Sequence, residues 1–130
     1  MAEYDFGPEH PLAPVRVALT IALATDLGRR MLPAFDSPTG MPYRFVNLKT
    51  GATTGAESNP AEIGTLILEF GTLAKLTKEP VFFDKPRRAL TALYARRSPV
   101  TGLVGQSINV DTGVWTSPTS HIGGGIDSYY

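Results

Sequence analysis

Asn47-Leu48-Lys49-Thr50-Gly51 is the stretch that decides the fold, because it returns 62 residues later as Asn109-Val110-Asp111-Thr112-Gly113. A Thr-Gly pair precedes each copy at the same offset, Thr39-Gly40 in the first and Thr101-Gly102 in the second. Each copy also follows a Ser-Pro turn. We interpret the repeated unit as a strand or hairpin bracketed by helices. Chance similarity between two turn-rich loops is the alternative that the sequence leaves open.

Three stretches around the copies have the apolar spacing of helices. The first helix is predicted over about residues 14–32. The second runs over about 60–76, with Asn59 or Ser58 as its N-cap and a proline in its first turn. The third is predicted over about 82–97. Helix pairs with apolar faces cannot bury themselves alone, so such units stack or close into a ring.

Pro86 conflicts with a long third helix, because a proline inside a helix costs about 3 kcal/mol. A helix that begins with Asp84 as its cap would place Pro86 in the first turn, where proline is tolerated. A start near Asp84 is therefore the alternative to the predicted start at about Phe82.

Composition excludes several classes of function. The 12 basic and 12 acidic residues balance, so nothing indicates a nucleic-acid partner or an anionic membrane surface. The longest apolar stretch, 15–27, is too short and too polar to span a membrane, and residues 1–11 do not have the pattern of a signal peptide. The absence of cysteine excludes disulfides and thiolate metal sites and indicates no compartment, so the localisation stays unknown.

The common catalytic motifs are also absent from the sequence. The two histidines, His10 and His121, stand in unlike contexts and form no zinc-binding pattern. The run Gly123-Gly124-Gly125 lacks the lysine and the preceding strand of a phosphate loop. We interpret it as a flexible entry into a helix that begins near Ile126.

Two carboxylates remain as candidate site residues. Glu69 stands in an apolar stretch of the second helix, either at the boundary of the buried face or deliberately buried, and a buried carboxylate is costly unless it is paired. Asp127 follows the glycine run, where it is either a helix N-cap or a functional carboxylate.

Residues from about 26 to 130 resemble glycoside hydrolase family 47, the α-1,2-mannosidases, and especially its branch that acts in glycoprotein degradation in the endoplasmic reticulum. The resemblance rests on residues 27–35, 38–43, 46–48 and 64–73 with Leu76-Thr77. It continues in Gly102-Leu103, Ile108-Asn109, Thr112-Gly113 and the ending Gly-Gly-Gly-Ile-Asp-Ser-Tyr-Tyr over 123–130. Gly125 stands where other members carry an arginine, as it does in the degradation branch.

The resemblance implies a mainly α fold, a partial (α/α) toroid of helix pairs with short β-hairpins that forms an incomplete barrel. It implies an inverting hydrolase that removes terminal α-1,2-linked mannose from oligosaccharides, with calcium as cofactor. By the family pattern, Asp127 is an essential acidic residue of the catalytic site. Glu69, the glutamate of the Leu-Glu-Phe motif, lines the pocket that binds the sugar.

The sequence also departs from the family pattern. It contains neither the family's acid-bearing Arg-x-x-Gly-Gly segment nor the downstream glutamates and calcium-binding threonine, so it contributes no metal ligand. One acid cannot run an inverting mechanism, and we expect these 130 residues to be inactive alone. The alternative is a non-catalytic helical fragment that binds carbohydrate or self-associates through exposed helix faces.

Residues 4–20 resemble instead the N-terminal segment of the histone deacetylase and acetoin-utilisation family. We therefore divide the chain into a head over residues 1–22, with the arm and the start of the first helix, and a mannosidase barrel fragment over 23–130. None of that family's zinc ligands follows, so we interpret His10 as structural. A third hypothesis is a deacetylase-related fragment, which bound zinc would support.

Overall fold

The computed structural model describes residues 12–130 of the chain. Helices alternate along the chain with short strands. The helices are α1 (Ala13–Met31), α2 (Pro60–Gly64), α3 (Leu66–Thr77) and α4 (Val81–Tyr94), with 3-10 turns at Leu32–Phe35 and Asp127–Tyr129. The strands are β1 (Phe45–Val46), β2 (Thr53–Thr54), β3 (Glu57–Ser58), β4 (Ser107–Asn109) and β5 (Trp115–Ser117). The predicted arm over 1–11 lies outside the described residues.

The strands form two small antiparallel sheets that follow the repeat. The first hairpin pairs β1 with β2, and the second hairpin pairs β4 with β5. Val46 lies opposite Thr53 in the first, and Ile108 lies opposite Trp115 in the second, so both pairs keep the offset of 62 residues. Strand β3 joins the second sheet by pairing with β4, and it thereby links the two repeats.

The two asparagine loops have the same hydrogen bonds. In each loop, the Oδ1 atom of Asn47 or Asn109 accepts hydrogen bonds from the backbone amides two and three residues later, at 3.0 to 3.1 Å. The amides of Gly51 and Gly113 donate to the asparagine carbonyls at 2.8 and 2.7 Å, and their φ angles are +75° and +72°. The predicted repeat is therefore a structural repeat, because the two loops share this bonding at the same offset and each closes an antiparallel hairpin.

The glycines of the two loops give a matched prediction. Gly113→Ala should destabilise the protein by about 1 kcal/mol more than Gly51→Ala, which should itself cost about 1–2 kcal/mol because both glycines have left-handed backbone conformations. A Cβ at Gly113 would meet the Arg96 guanidinium, whose Nε donates to the Gly113 carbonyl at 3.1 Å. A Cβ at Gly51 would meet Pro33 at an ordinary 3.6 Å. Urea unfolding of both variants measures the difference, and equal losses would contradict it.

The first helix lies where the sequence predicts it, but the second is divided. Asn59 is its N-cap, since its side chain accepts a hydrogen bond from the Glu62 amide at 2.9 Å. The expected single helix over 60–76 breaks between α2 and α3 at Thr65. The Thr65 hydroxyl donates to the Ala61 carbonyl at 2.8 Å, and the preceding Gly64 is a weak helix former.

The third helix begins within one residue of the predicted start at about 82, and not at the alternative start. Helix α4 begins at Val81 rather than near Asp84, and Pro86 lies inside it. Phe82 and Pro86 are both fully buried on one face of this helix. Burial of the Phe82 ring is worth about 1.5–3 kcal/mol, which offsets a penalty for Pro86 of about 3 kcal/mol.

The core lies where the helices meet the second hairpin. Its largest fully buried side chains include Phe82, Ile63, Leu93 and Ile108. By contrast, Gly28 is the sole buried residue of α1, so most of this helix is open to solvent. Helix α1 passes without interruption through the predicted boundary at residues 22 and 23, and that division stays a prediction. Among the described helices, none is long and apolar enough to cross a membrane.

Candidate functional site

Glu69 lies on α3 and is exposed, which agrees with the boundary position rather than the buried one. Its neighbour Phe70 is buried against Phe35 and Phe82, with ring centroids 5.6 and 6.1 Å apart. The buried Phe70 side chain marks the face of α3 that points into the core. Glu69 precedes it by one residue, so the Glu69 side chain lies at the edge of that face. None of the described residues forms a hydrogen bond or ion pair with the Glu69 carboxylate.

An apolar groove of about 190 Å³ adjoins Glu69 between α1 and α3. Leu27 and Met31 line one wall, and Leu73 lines the other. The two helices approach closely at Gly28, where an added Cβ would lie 2.7 Å from Leu73 Cδ2. The groove therefore combines an apolar floor with a single carboxylate, which is the usual composition of a site that orients a small ligand.

Asp127 is exposed on the last turn of the chain. It is the first residue of the 3-10 turn rather than its cap, and its Oδ1 accepts a hydrogen bond from the Ser128 amide at 2.9 Å. The Gly123 carbonyl accepts from the amides of both Ile126 and Asp127, at 3.1 and 3.0 Å. The glycine run, predicted to be a flexible entry into a helix, is thus a hydrogen-bonded turn that presents the Asp127 carboxylate.

The turn that holds Asp127 is packed against α2. The Gly125 carbonyl accepts a hydrogen bond from the Ala61 amide at 2.9 Å, and Gly125 has a φ of +90°. Tyr129 lies against Gly64, where an added Cβ would approach its ring to 2.8 Å. Burial raises the pKa of the Tyr129 hydroxyl above its usual value. Gly64 therefore serves the site, since it lets the Tyr129 ring reach the helix.

The structure does not place the two candidate carboxylates in one cavity. Asp127 is not among the residues that line the groove beside Glu69. The two carboxylates lie on neighbouring elements instead. The turn that holds Asp127 packs on α2, and α2 leads directly into α3, which carries Glu69.

A polar groove next to the glycine turn was missed by the sequence reasoning. It encloses about 140 Å³ and is lined by Arg44, Asn59 and Gln106 together with Gly124 and Gly125. Arg44 and Gln106 hold the same position in the two repeats, 62 residues apart. The repeat offset is the sequence signal that could have identified Arg44 and Gln106 as candidates. Their guanidinium and amide groups can both donate hydrogen bonds to ligand oxygens.

The described residues do not fit the calcium site that the resemblance implies. Over residues 12–130, no three or more histidine, aspartate or glutamate side chains lie close enough together to hold a metal ion. His121 lies beside the glycine turn, and His10 is outside the described residues. We therefore derive no chemical step through calcium.

Comparisons with known proteins agree on one family. The model of glycosyl hydrolase family 47 matches residues 9–130. Alpha-mannosidase I MNS4 of Arabidopsis thaliana is 49% identical over 112 residues, which cover 85% of this chain and 18% of that protein. Human ER degradation-enhancing alpha-mannosidase-like protein 2 is 47% identical over 112 residues, which cover 85% of this chain and 19% of that protein.

A solved structure has the same fold over most of the chain. The alpha-1,2-mannosidase from Trichoderma reesei superimposes with a TM-score of 0.79 and 24% sequence identity, covering 89% of this chain and 25% of that one. This chain thus spans about a fifth of the length of the curated relatives that it matches. The resemblance noted over residues 26–130 is confirmed, and the chain belongs to glycosyl hydrolase family 47.

Proposed function

We propose that this chain is one part of an α-1,2-mannosidase that removes terminal α-1,2-linked mannose from oligosaccharides by inversion. Its two helix-hairpin repeats are a segment of an (α/α) toroid. In the active site of that mannosidase, Asp127 is the catalytic carboxylate that this segment contributes, and Glu69 positions the sugar. The names of the relatives, which include an ER degradation-enhancing protein, support a role in glycoprotein degradation.

The observation that carries the proposal is the presentation of Asp127. Three glycines precede it, and the backbone bonds to the Gly123 carbonyl hold its turn in place. The Ser128 amide donates to one carboxylate oxygen, and Asp127 as a whole is exposed. A carboxylate that is held in one direction and is open to solvent can act on a bound sugar without the free-energy cost of first being reoriented.

Inversion explains why the segment should not act alone. One carboxylic acid protonates the leaving oxygen, while a carboxylate about 6.5–9.5 Å away activates the attacking water on the opposite face of the sugar. Glu69 lies beside an apolar groove that can receive the sugar ring, so we assign it to binding. A second catalytic carboxyl group, and the ligands for calcium, would therefore come from outside residues 12–130.

The test uses the 130-residue chain with α-1,2-mannobiose. Because the chain supplies part of a site, we expect binding with a Kd of roughly 1 mM or weaker and no release of mannose. In amide NMR spectra, the disaccharide should shift the signals of Ser128 and Phe70. Asp127→Asn should abolish the shift at Ser128, and Glu69→Gln should weaken the shift at Phe70.

Two controls make the outcome decisive. Asp84→Asn changes an exposed carboxylate on α4 that lines neither groove, so it should leave the shifts at Ser128 and Phe70 unchanged. Absence of any shift at Ser128 and Phe70 up to the solubility of the sugar would refute the assignment of both carboxylates. Mannose release that disappears in Asp127→Asn would refute the expectation that the chain is inactive alone.

A further inference from the structure

The polar groove beside the glycine turn has no role in the function proposed so far. Its walls come from Arg44 at the start of the first hairpin, from β3, from Gln106 just before β4, and from Gly124 and Gly125. Both repeats therefore contribute to it, together with the strand that joins them. Asp127 follows Gly125 by two residues, a span of at most about 7 Å, so the groove adjoins the catalytic carboxylate.

Three side chains offer hydrogen-bond donors to a ligand in this groove. The Gln106 side-chain amide has no partner among residues 12–130. The Asn59 Oδ1 atom accepts from the Glu62 amide at 2.9 Å, and the Asn59 Nδ2 atom has no partner within the described chain. The Arg44 guanidinium donates through Nη2 to the Glu62 carboxylate at 2.9 Å, and its other N–H groups remain available.

The Glu62 carboxylate holds Arg44 in place. One carboxylate oxygen accepts from Arg44, and the other accepts from the Ser58 hydroxyl at 3.1 Å. Ser58 is 3% exposed, whereas 47% of the Arg44 side chain is open to solvent. The guanidinium is therefore oriented before any ligand arrives, and a ligand can bind it at little cost in side-chain entropy.

The charges of the groove favour a neutral ligand over an anion. The positive charge of Arg44 is paired with Glu62, and the Glu57 carboxylate also lines the groove. A phosphate or sulfate would therefore meet more negative charge than positive charge. Amide and guanidinium donors beside a carboxylate acceptor match hydroxyl groups, which both donate and accept hydrogen bonds. A sugar carries several such groups and no charge.

The two glycines give the groove a wall without side chains. A Cβ at Gly124 would meet nothing within 4 Å, and Gly124 is exposed. Gly125 has a φ of +90°, and a Cβ there would lie 3.6 Å from the Asn59 Cγ atom. Pockets for drug-sized ligands enclose about 300–1,000 Å³. A groove of about 140 Å³ is small by comparison and suits a single sugar unit.

We propose that Arg44 and Gln106 bind the sugar unit to which the terminal mannose is linked, and that they thereby select which α-1,2-linked mannose the site accepts. The inference rests on the proposed function, because it takes Asp127 as the carboxylate that acts on the linkage between the two sugars. The terminal mannose then lies at Asp127, and the second sugar lies against the glycines. Arg44 and Gln106 donate to its hydroxyl oxygens, and Glu57 accepts from a hydroxyl group.

The first experiment compares α-1,2-mannobiose with methyl α-mannoside, which carries a mannose but no second sugar. Both are titrated into the 130-residue chain, and NMR follows the Ser128 backbone amide and the Gln106 side-chain amide. Mannobiose should shift both signals, whereas methyl α-mannoside should shift Ser128 alone. A Gln106 signal that stays fixed while mannobiose shifts Ser128, or that shifts equally with both sugars, would overturn the inference and leave the proposed function standing.

The second experiment uses Gln106→Ala. Since the Gln106 side chain makes no hydrogen bond within residues 12–130, its removal costs the described fold no internal bond. The Kd for mannobiose should rise about 3- to 10-fold, the effect of one lost hydrogen bond. The Kd for methyl α-mannoside should not change. Arg44→Ala should give the same pattern, and circular dichroism checks that it folds without its ion pair to Glu62.

Arg87→Ala is the matched control for Arg44→Ala, because Arg87 is an exposed arginine of α4 that does not line the groove. It should leave both Kd values unchanged. An unchanged Kd for mannobiose in Gln106→Ala and Arg44→Ala, or an equal loss for both sugars, would overturn the inference. Failure of both sugars to shift Ser128 would instead refute the proposed function, and the inference with it.

Discussion

Phe82→Ala should lower the free energy of unfolding by about 3–5 kcal/mol, the largest loss that we expect from any single change in this chain. The Phe82 ring is fully buried, packs 6.1 Å from the Phe70 centroid, and lies under Gly28 where α1 crosses the helices. Its removal leaves a cavity at the junction of α1, α3 and α4. Urea unfolding followed by circular dichroism measures the loss.

Phe83→Ala is the matched control for this prediction. Phe83 is the next residue on the same helix, carries the same ring, and is 39% exposed. Because water already reaches this ring, we expect a loss of about 1 kcal/mol. Similar losses for the two variants would mean that the junction is not the centre of the core.

Ile108→Ala should cost about 2–5 kcal/mol, whereas Val46→Ala at the equivalent position of the first repeat should cost about 1 kcal/mol. Ile108 is fully buried beneath β3, and Val46 is only partly buried. Equal losses would contradict the difference in burial between these two positions.

The parts of the fold that the sequence predicts well depend on local chemistry. The N-cap at Asn59 needs only the amide of Glu62, three residues away, and each asparagine loop closes within five residues. Such short-range bonds leave a signature in neighbouring residues. The first helix and the repeat could be predicted for the same reason.

The sequence predicts the helix boundaries poorly where contacts between residues far apart in the chain determine them. The break at Thr65 accompanies the contact of Tyr129 with Gly64, and these residues are far apart in the sequence. The start of α4 follows from burial of Phe82 among Gly28 and Phe70, which outweighs the local cost of Pro86. Tertiary packing thus overrides local propensity at both places.

For the candidate site, the sequence indicates which residues carry chemistry but not how they are arranged. Glu69 and Asp127 stand out through their motifs, and the structure places both on exposed surfaces. The polar groove of Arg44 and Gln106 depends on how the two hairpins lie beside the glycine turn, which no local pattern encodes. Their equal positions in the repeat are the one signal that predicts their proximity.

The two asparagine loops also have a consequence for the order of folding. Each loop is closed by bonds between residues at most four positions apart along the chain, so each hairpin can form on its own, on a timescale of about 1–10 μs. The pairing of Glu57 with Asn109 spans far more of the chain and must wait for the larger loop to close. We expect the hairpins to nucleate separately, and β3 to join them as the later, rate-limiting event.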